Sequence, residues 1–90
     1  MKLLLILLLA TFGEANQQYA DGNYAEAAQM YEEILAEQPN SEVYYNLGNA
    51  YFKQGELAQS ILAYERCLRL DPRNKDAKYK IGRASCRERV

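Results

Sequence analysis

The sequence predicts an all-α fold, an α-solenoid of antiparallel helix-turn-helix repeats, and three observations favour it. Between Ser41 and Pro72, apolar residues recur at helical spacing in two successive segments. Residues of the preceding segment match residues of this stretch, and every matching pair is separated by the same number of positions as Pro39 and Pro72. Each unit ends at a proline, which disfavours the helical conformation in the residue before it. We therefore expect two repeats and the start of a third.

The clearest repeat spans residues 41–72 and contains two helices joined by a tight turn at Gln54-Gly55-Glu56. Its two apolar faces are formed by Tyr44, Leu47, Gly48 and Tyr51, and by Leu57, Ile61, Tyr64 and Leu68, with the small Ser60 and Cys67 between the latter. Glycine within a helix costs about 1 kcal/mol relative to alanine. Gly48 therefore predicts that the partner helix passes close to the backbone.

The first repeat is assigned to residues 16–39. Its second helix has an apolar face made of Tyr24, Ala27, Ala28, Tyr31, Ile34 and Leu35. Its first helix is degenerate, because Glu14 and Ala15 stand where the next repeat has Leu47 and Gly48. A degenerate start is typical of a terminal, capping repeat.

The first helix of a third repeat is predicted to start at residues 75–80. In it, Ile81-Gly82 would correspond to Leu47-Gly48 of the second repeat. Residues 81–90, IGRASCRERV, match the in-frame translation of a common short-read sequencing adapter. We interpret them as a non-native tail, with a genuine basic tail as the alternative. Because about three repeats are needed for independent stability, we expect a fragment of a longer protein or a marginally stable domain.

Residues 1–15 have the pattern of a secretory signal peptide. Lys2 precedes the apolar run LLLILLLA, which is much shorter than the roughly 20 residues of a membrane-spanning helix. Small residues allow cleavage after Gly13 or after Ala15, and the alternative is a buried first helix. We expect export to the periplasm or envelope, with membrane contact only through this segment.

Composition argues against several classes of function. The 90 residues carry 11 basic and 12 acidic side chains, a net charge of −1, with no histidine and no tryptophan. Such a balance provides no long-range field for nucleic acid. The two cysteines do not form a zinc motif, and we predict that Cys67 is a buried free thiol. We expect no enzyme, no catalytic residue, no cofactor, no metal and no nucleic-acid partner.

The stretch from residue 41 to residue 72 closely resembles the tetratricopeptide repeat. The matching positions are Tyr44, Leu47, Gly48, Tyr51, Ser60, Tyr64, Cys67 and Pro72, where Ser60 and Cys67 replace the family's usual alanines. This resemblance implies a protein interaction scaffold whose first helices line a concave groove for an extended peptide or a partner helix. The predicted groove residues are Asn16, Tyr19, Tyr45, Asn46, Asn49, Phe52 and Lys53.

Some family members clamp the terminal carboxylate of heat-shock chaperones with a lysine, two asparagines and two further basic residues. The corresponding positions here are Phe12, Asn16, Asn46, Asp76 and Lys80. A basic side chain is missing at Phe12, and the charge is reversed at Asp76. That clamp is therefore not predicted for this chain.

The signal-like start followed by these repeats also resembles exported bacterial proteins of the Bat aerotolerance-operon type. That resemblance covers Lys2 to about Lys80 and implies an envelope scaffold that assembles partner proteins. The alternative is purely structural: the repeats cap a larger solenoid and bind no ligand of their own. In that case the groove residues are consensus surface positions.

Overall fold

The computed structural model describes residues 12–89, which form helices joined by short connections, with no strand in that range. The helices are α1 (residues 12–20), α2 (Tyr24–Glu37), α3 (Ser41–Gln54), α4 (Leu57–Leu70) and α5 (Lys75–Arg89). Consecutive helices pack against one another from α2 to α5, and α1 contributes Ala15 to the core beside α2. The predicted all-α solenoid is confirmed.

The same turn closes the first helix of both repeats. Gly55 has a positive φ of 80°, and the N–H groups of Gly55 and Glu56 donate to the carbonyls of Phe52 and Tyr51. Gly22 has a φ of 86°, and its turn has the same pair of bonds, to Tyr19 and Gln18. This is the Schellman arrangement, which needs a left-handed residue and so favours glycine.

Asparagine side chains begin the first helices of the second and third repeats. The Asn40 side-chain oxygen accepts the Val43 N–H at 3.1 Å, and that of Asn74 accepts the Ala77 N–H at 2.9 Å. Each satisfies a backbone donor that has no partner inside the helix. Asn74 follows Asn40 by one repeat period, so α5 starts in the register of α3.

Replacing Asn40 by alanine is expected to lower the free energy of unfolding by about 1 kcal/mol, the usual value of an N-cap bond. Asn23→Ala is the matched control, because Asn23 precedes α2 without making a side-chain cap bond. Urea unfolding followed by circular dichroism compares the two. Equal losses would contradict a specific capping role for Asn40.

The core differs in detail from the predicted faces. In α3 the buried residues are Val43, Leu47, Gly48 and Ala50, whereas Tyr44 and Tyr51 are half-buried. In α4 they are Ser60, Ala63, Tyr64 and Cys67, whereas Leu57, Ile61 and Leu68 are half-buried. The prediction of one buried face per helix does not describe α3, because α3 packs against α2 on one side and α4 on the other.

Gly48 lies where α4 crosses α3, as the sequence predicts. A Cβ atom built on it would overlap the ring of Tyr64. The Ser60 hydroxyl donates to the Gly48 carbonyl at 2.8 Å, so serine adds an interhelical bond that alanine could not make. The expected close approach of the two helices is confirmed.

Both ends of the described range bear on the sequence interpretation. The apolar run at residues 3–10 lies outside the described residues, and both proposed cleavage points fall within α1, where Ala15 is fully buried. Helix α5 continues beyond Lys80, and Ala84 is also fully buried. Signal cleavage and the non-native tail both stay predictions.

Candidate functional site

The described part of the structure contains a concave cavity of about 190 Å³ on the side formed by α1, α3 and α5. Its lining residues are Tyr19, Asn49, Phe52, Lys53, Tyr64, Lys80 and Arg83. All except Tyr64 lie on α1, α3 or α5. The lining therefore combines aromatic rings, an amide and cationic groups, and contains no carboxylate.

Four of the seven predicted groove residues line this cavity: Tyr19, Asn49, Phe52 and Lys53. Tyr45 lies directly beside it, with its ring 5.8 Å from that of Tyr64. Asn16 and Asn46 do not line the cavity but hydrogen bond to each other at 3.3 Å. The predicted set thus forms one cavity and one adjoining polar pair.

Two asparagines of this surface are held by tyrosine hydroxyls. Tyr64 donates to the side-chain oxygen of Asn49 at 2.5 Å, and Tyr31 donates to that of Asn16 at 2.6 Å. The ammonium of Lys80 donates to the same Asn49 oxygen at 2.9 Å. Each asparagine oxygen is therefore already engaged by groups of the protein.

Cations lie over the aromatic rings near the cavity. The Lys80 ammonium is 5.2 Å from the Tyr45 ring centre, and the Arg87 guanidinium is 4.9 Å from that of Phe52. Arg83 lies 5.8 Å from the same Phe52 ring. Such contacts hold positive charge against the rings at this face.

Three lining residues were not among the predicted groove residues. The helical spacing places Tyr64 in the core, but a buried tyrosine also needs a partner for its hydroxyl, and that need is the signal in the sequence for a position at the groove. Lys80 enters the sequence prediction only as a position of the carboxylate clamp, yet it follows Asn46 by one repeat period and so occupies a groove position of α5. Arg83 belongs to the predicted non-native tail, residues 81–90, for which no site is predicted.

Burial raises the pKa of several tyrosines, because the charged phenolate is poorly solvated there. The pKa of Tyr31 is raised to about 12 by burial and, less strongly, by Tyr19. The pKa of Tyr51 is also raised to about 12, by burial and by its hydrogen bond to Glu32. Burial likewise raises the pKa of Tyr64.

We expect the protein to lose stability between about pH 10 and about pH 12. Unfolded tyrosines ionise near pH 10, whereas Tyr31 and Tyr51 keep their protons until about pH 12 when folded. Their contribution is complete below about pH 10 and decreases as the pH rises toward about 12, because the unfolded state then binds fewer protons. Urea unfolding at about pH 9 and about pH 11 should show a lower midpoint at the higher pH. An unchanged midpoint would contradict these raised pKa values.

Cys67 is a buried free thiol, as predicted, with no exposed surface. Burial and the neighbouring Asp71 raise its pKa, which keeps it in the thiol form. Among the described residues, no group of three acidic, cysteine or histidine side chains could hold a metal ion. No helix of the described range has both the length and the apolar character to span a membrane.

Helix pairs that recur with a regular period, with a concave face of first helices, define the helical-repeat class of interaction module. Two tetratricopeptide repeat models match residues 10–41 and 41–74. The chain therefore belongs to the tetratricopeptide repeat family. The first match starts before residue 16, where the sequence places the first repeat.

Two curated proteins are similar to most of the chain. Sperm-associated antigen 1 from Rattus norvegicus is 34% identical over an alignment of 85 residues that covers 86% of this chain. The CTR9 homolog protein from Arabidopsis thaliana is 31% identical over an alignment of 75 residues that covers 81% of this chain. The chain spans only 9% and 7% of their respective lengths. Repeats of this family generally mediate interactions between proteins and are typically not enzymes.

Proposed function

We propose that this chain is a protein interaction module that binds an extended, acidic peptide in its concave cavity. The observation that carries the proposal is the lining itself, which brings Lys53, Lys80 and the Asn49 amide together without a carboxylate. A cationic surface with hydrogen-bond donors attracts carboxylates and main-chain carbonyls.

The dimensions of the cavity favour an extended segment. An α-helix with side chains is about 10–12 Å wide, which is large for a cavity of about 190 Å³. Pockets for small molecules usually have volumes of about 300–1,000 Å³, so a cofactor or metabolite is also a poor fit. A single apolar side chain of an extended peptide could contact Tyr19 and Phe52 while acidic neighbours pair with the lysines.

Three peptides of about ten residues, roughly 33 Å long when extended, test the proposal. Each peptide is acetylated at its N-terminus, amidated at its C-terminus and carries a fluorescent label. The three peptides repeat the same unit of Leu, Ser and one variable residue, which is Glu, Gln or Lys, and we name them the Glu, Gln and Lys peptides. Fluorescence anisotropy with the 90-residue chain should show that affinity decreases from the Glu peptide to the Gln peptide to the Lys peptide. The affinities for the Glu and Lys peptides should differ about tenfold. Salt should weaken binding of the Glu peptide most.

Equal affinity for the three peptides would overturn the acidic preference. Failure of all three to bind would overturn peptide binding by this groove and favour the structural alternative, in which the repeats only cap a larger solenoid. The same peptides can be tested on Tyr45→Ala, because the Tyr45 ring contacts Tyr64 and Lys80, which line the cavity, but does not line it itself.

We also propose that the protein works in the bacterial cell envelope as an adaptor that assembles partner proteins. What supports this location is the sequence of residues 1–15, namely Lys2 followed by a short apolar run. A fusion to alkaline phosphatase, which is active only after export, tests it in bacteria. Activity that depends on residues 3–10 would support export, and an inactive fusion would contradict it.

A further inference from the structure

We infer that Tyr31 and Tyr64 are positioning residues, which orient the side-chain amides of Asn16 and Asn49 so that their N–H groups are left free for a ligand. This inference deepens the proposed function and rests on it. It assigns a second task to two residues whose rings otherwise belong to the core. The consequence is a surface that recognises hydrogen-bond acceptors.

The geometry around Asn49 fixes the orientation of its amide. The Tyr64 hydroxyl lies 2.5 Å and the Lys80 ammonium 2.9 Å from the same atom, the side-chain oxygen. An ammonium group can only donate a hydrogen bond, so its partner must be an acceptor. The amide nitrogen of Asn49 therefore keeps two donors for the cavity that Asn49 lines.

Tyr64 has little freedom to release this amide. The residue is 1% exposed, and its ring packs where a Cβ on Gly48 would overlap it. The backbone of Gly48 and the ring of Tyr64 thus hold the hydroxyl at a fixed distance from Asn49. A phenylalanine ring could fill the same space, so the hydroxyl group is not required for packing.

The same pair occurs one repeat earlier. Tyr31 is 1% exposed and donates to the Asn16 side-chain oxygen at 2.6 Å. Asn46 also donates to that oxygen, at 3.3 Å, which again leaves the Asn16 amide nitrogen as the free end. Two independent tyrosine–asparagine pairs with the same polarity indicate a property of the surface. Successive repeats would offer amide donors to the main-chain carbonyls of an extended peptide.

The first test needs no ligand. In the 90-residue chain, Tyr64→Phe should move the carbonyl Cγ resonance of Asn49 upfield, because the oxygen loses a hydrogen bond. Tyr44→Phe is the matched control, since the Tyr44 hydroxyl bonds to neither asparagine among the described residues, and it should leave that resonance in place. An unchanged Asn49 resonance in Tyr64→Phe would overturn the inference whether or not any peptide binds.

The second test is a double-mutant cycle with the Glu and Gln peptides. Tyr64→Phe should weaken both by the same factor, about two- to tenfold, the range of one hydrogen bond. Asn49→Ala should weaken both at least as much, and adding Tyr64→Phe to it should change little, because the tyrosine acts through Asn49. Urea midpoints of both variants are measured to test whether they fold. Additive losses, or full binding by Tyr64→Phe, would overturn the positioning role. Failure of the wild-type chain to bind any peptide would count against the proposed function alone.

Discussion

Replacing Gly48 by alanine is expected to lower the free energy of unfolding by about 2 kcal/mol. Alanine is favoured over glycine in a helix by about 1 kcal/mol, so propensity alone predicts the opposite sign. The added methyl group would overlap the ring of Tyr64, which is buried and cannot rotate into solvent. Helix α4 would have to move away from α3, which would also lengthen the bond from Ser60 to the Gly48 carbonyl.

Gly82→Ala is the matched control for this prediction. Gly82 also lies within a helix, one repeat period after Gly48, but a Cβ atom added to it would meet nothing within 4 Å beyond its chain neighbours and the backbone of its own helix. Alanine there should leave stability unchanged or raise it by up to about 1 kcal/mol. Urea unfolding of both variants gives the comparison. A Gly48→Ala protein as stable as the control would show that the Tyr64 ring does not set the spacing of these helices.

Reversing the charge of Lys53 is expected to reduce affinity for the Glu peptide by about tenfold or more. Lys53 lines the cavity, so a glutamate there would replace an attraction with a repulsion at the ligand. Binding of the uncharged Gln peptide should change much less. Fluorescence anisotropy at low and high salt measures both, and the difference should shrink as salt screens the charges.

Lys78→Glu is the control, because Lys78 is exposed on α5 and does not line the cavity. The two variants have the same net charge. Equal losses of affinity in both would mean that the peptide responds to overall charge and not to the cavity. In that case the proposed site would be wrong.

The repeat pattern was readable from the sequence because several of its features are local. The turn at Gly55 requires a left-handed residue, and its recurrence at Gly22 follows from the constant spacing of the two repeats. Gly48 indicated a close helix crossing for the same kind of reason, since a glycine inside a helix otherwise only costs stability. These features depend on the backbone and on one neighbouring helix.

The burial of Val43 and Ala50 was not readable in this way. Their positions become core only because α3 contacts α2 as well as α4, and a single-helix pattern does not encode two neighbours. The cavity shows the same limit. Its spacing predicts that Tyr64 belongs to the core, whereas the partner of its hydroxyl, Asn49 on α3, depends on how the helices pack. Likewise, Lys80 lines the cavity because of the register in which α5 continues the repeat of α3.

Binding of an extended acidic peptide in the concave cavity is tested most directly by a nuclear magnetic resonance titration. The Glu peptide is added to the isotope-labelled 90-residue chain, and backbone and side-chain amide shifts are followed. We expect the largest changes at Tyr19, Asn49, Phe52 and Lys53, which line the cavity. Changes centred on exposed residues of α4 such as Glu65 and Arg66, or no changes at all, would contradict binding at this site.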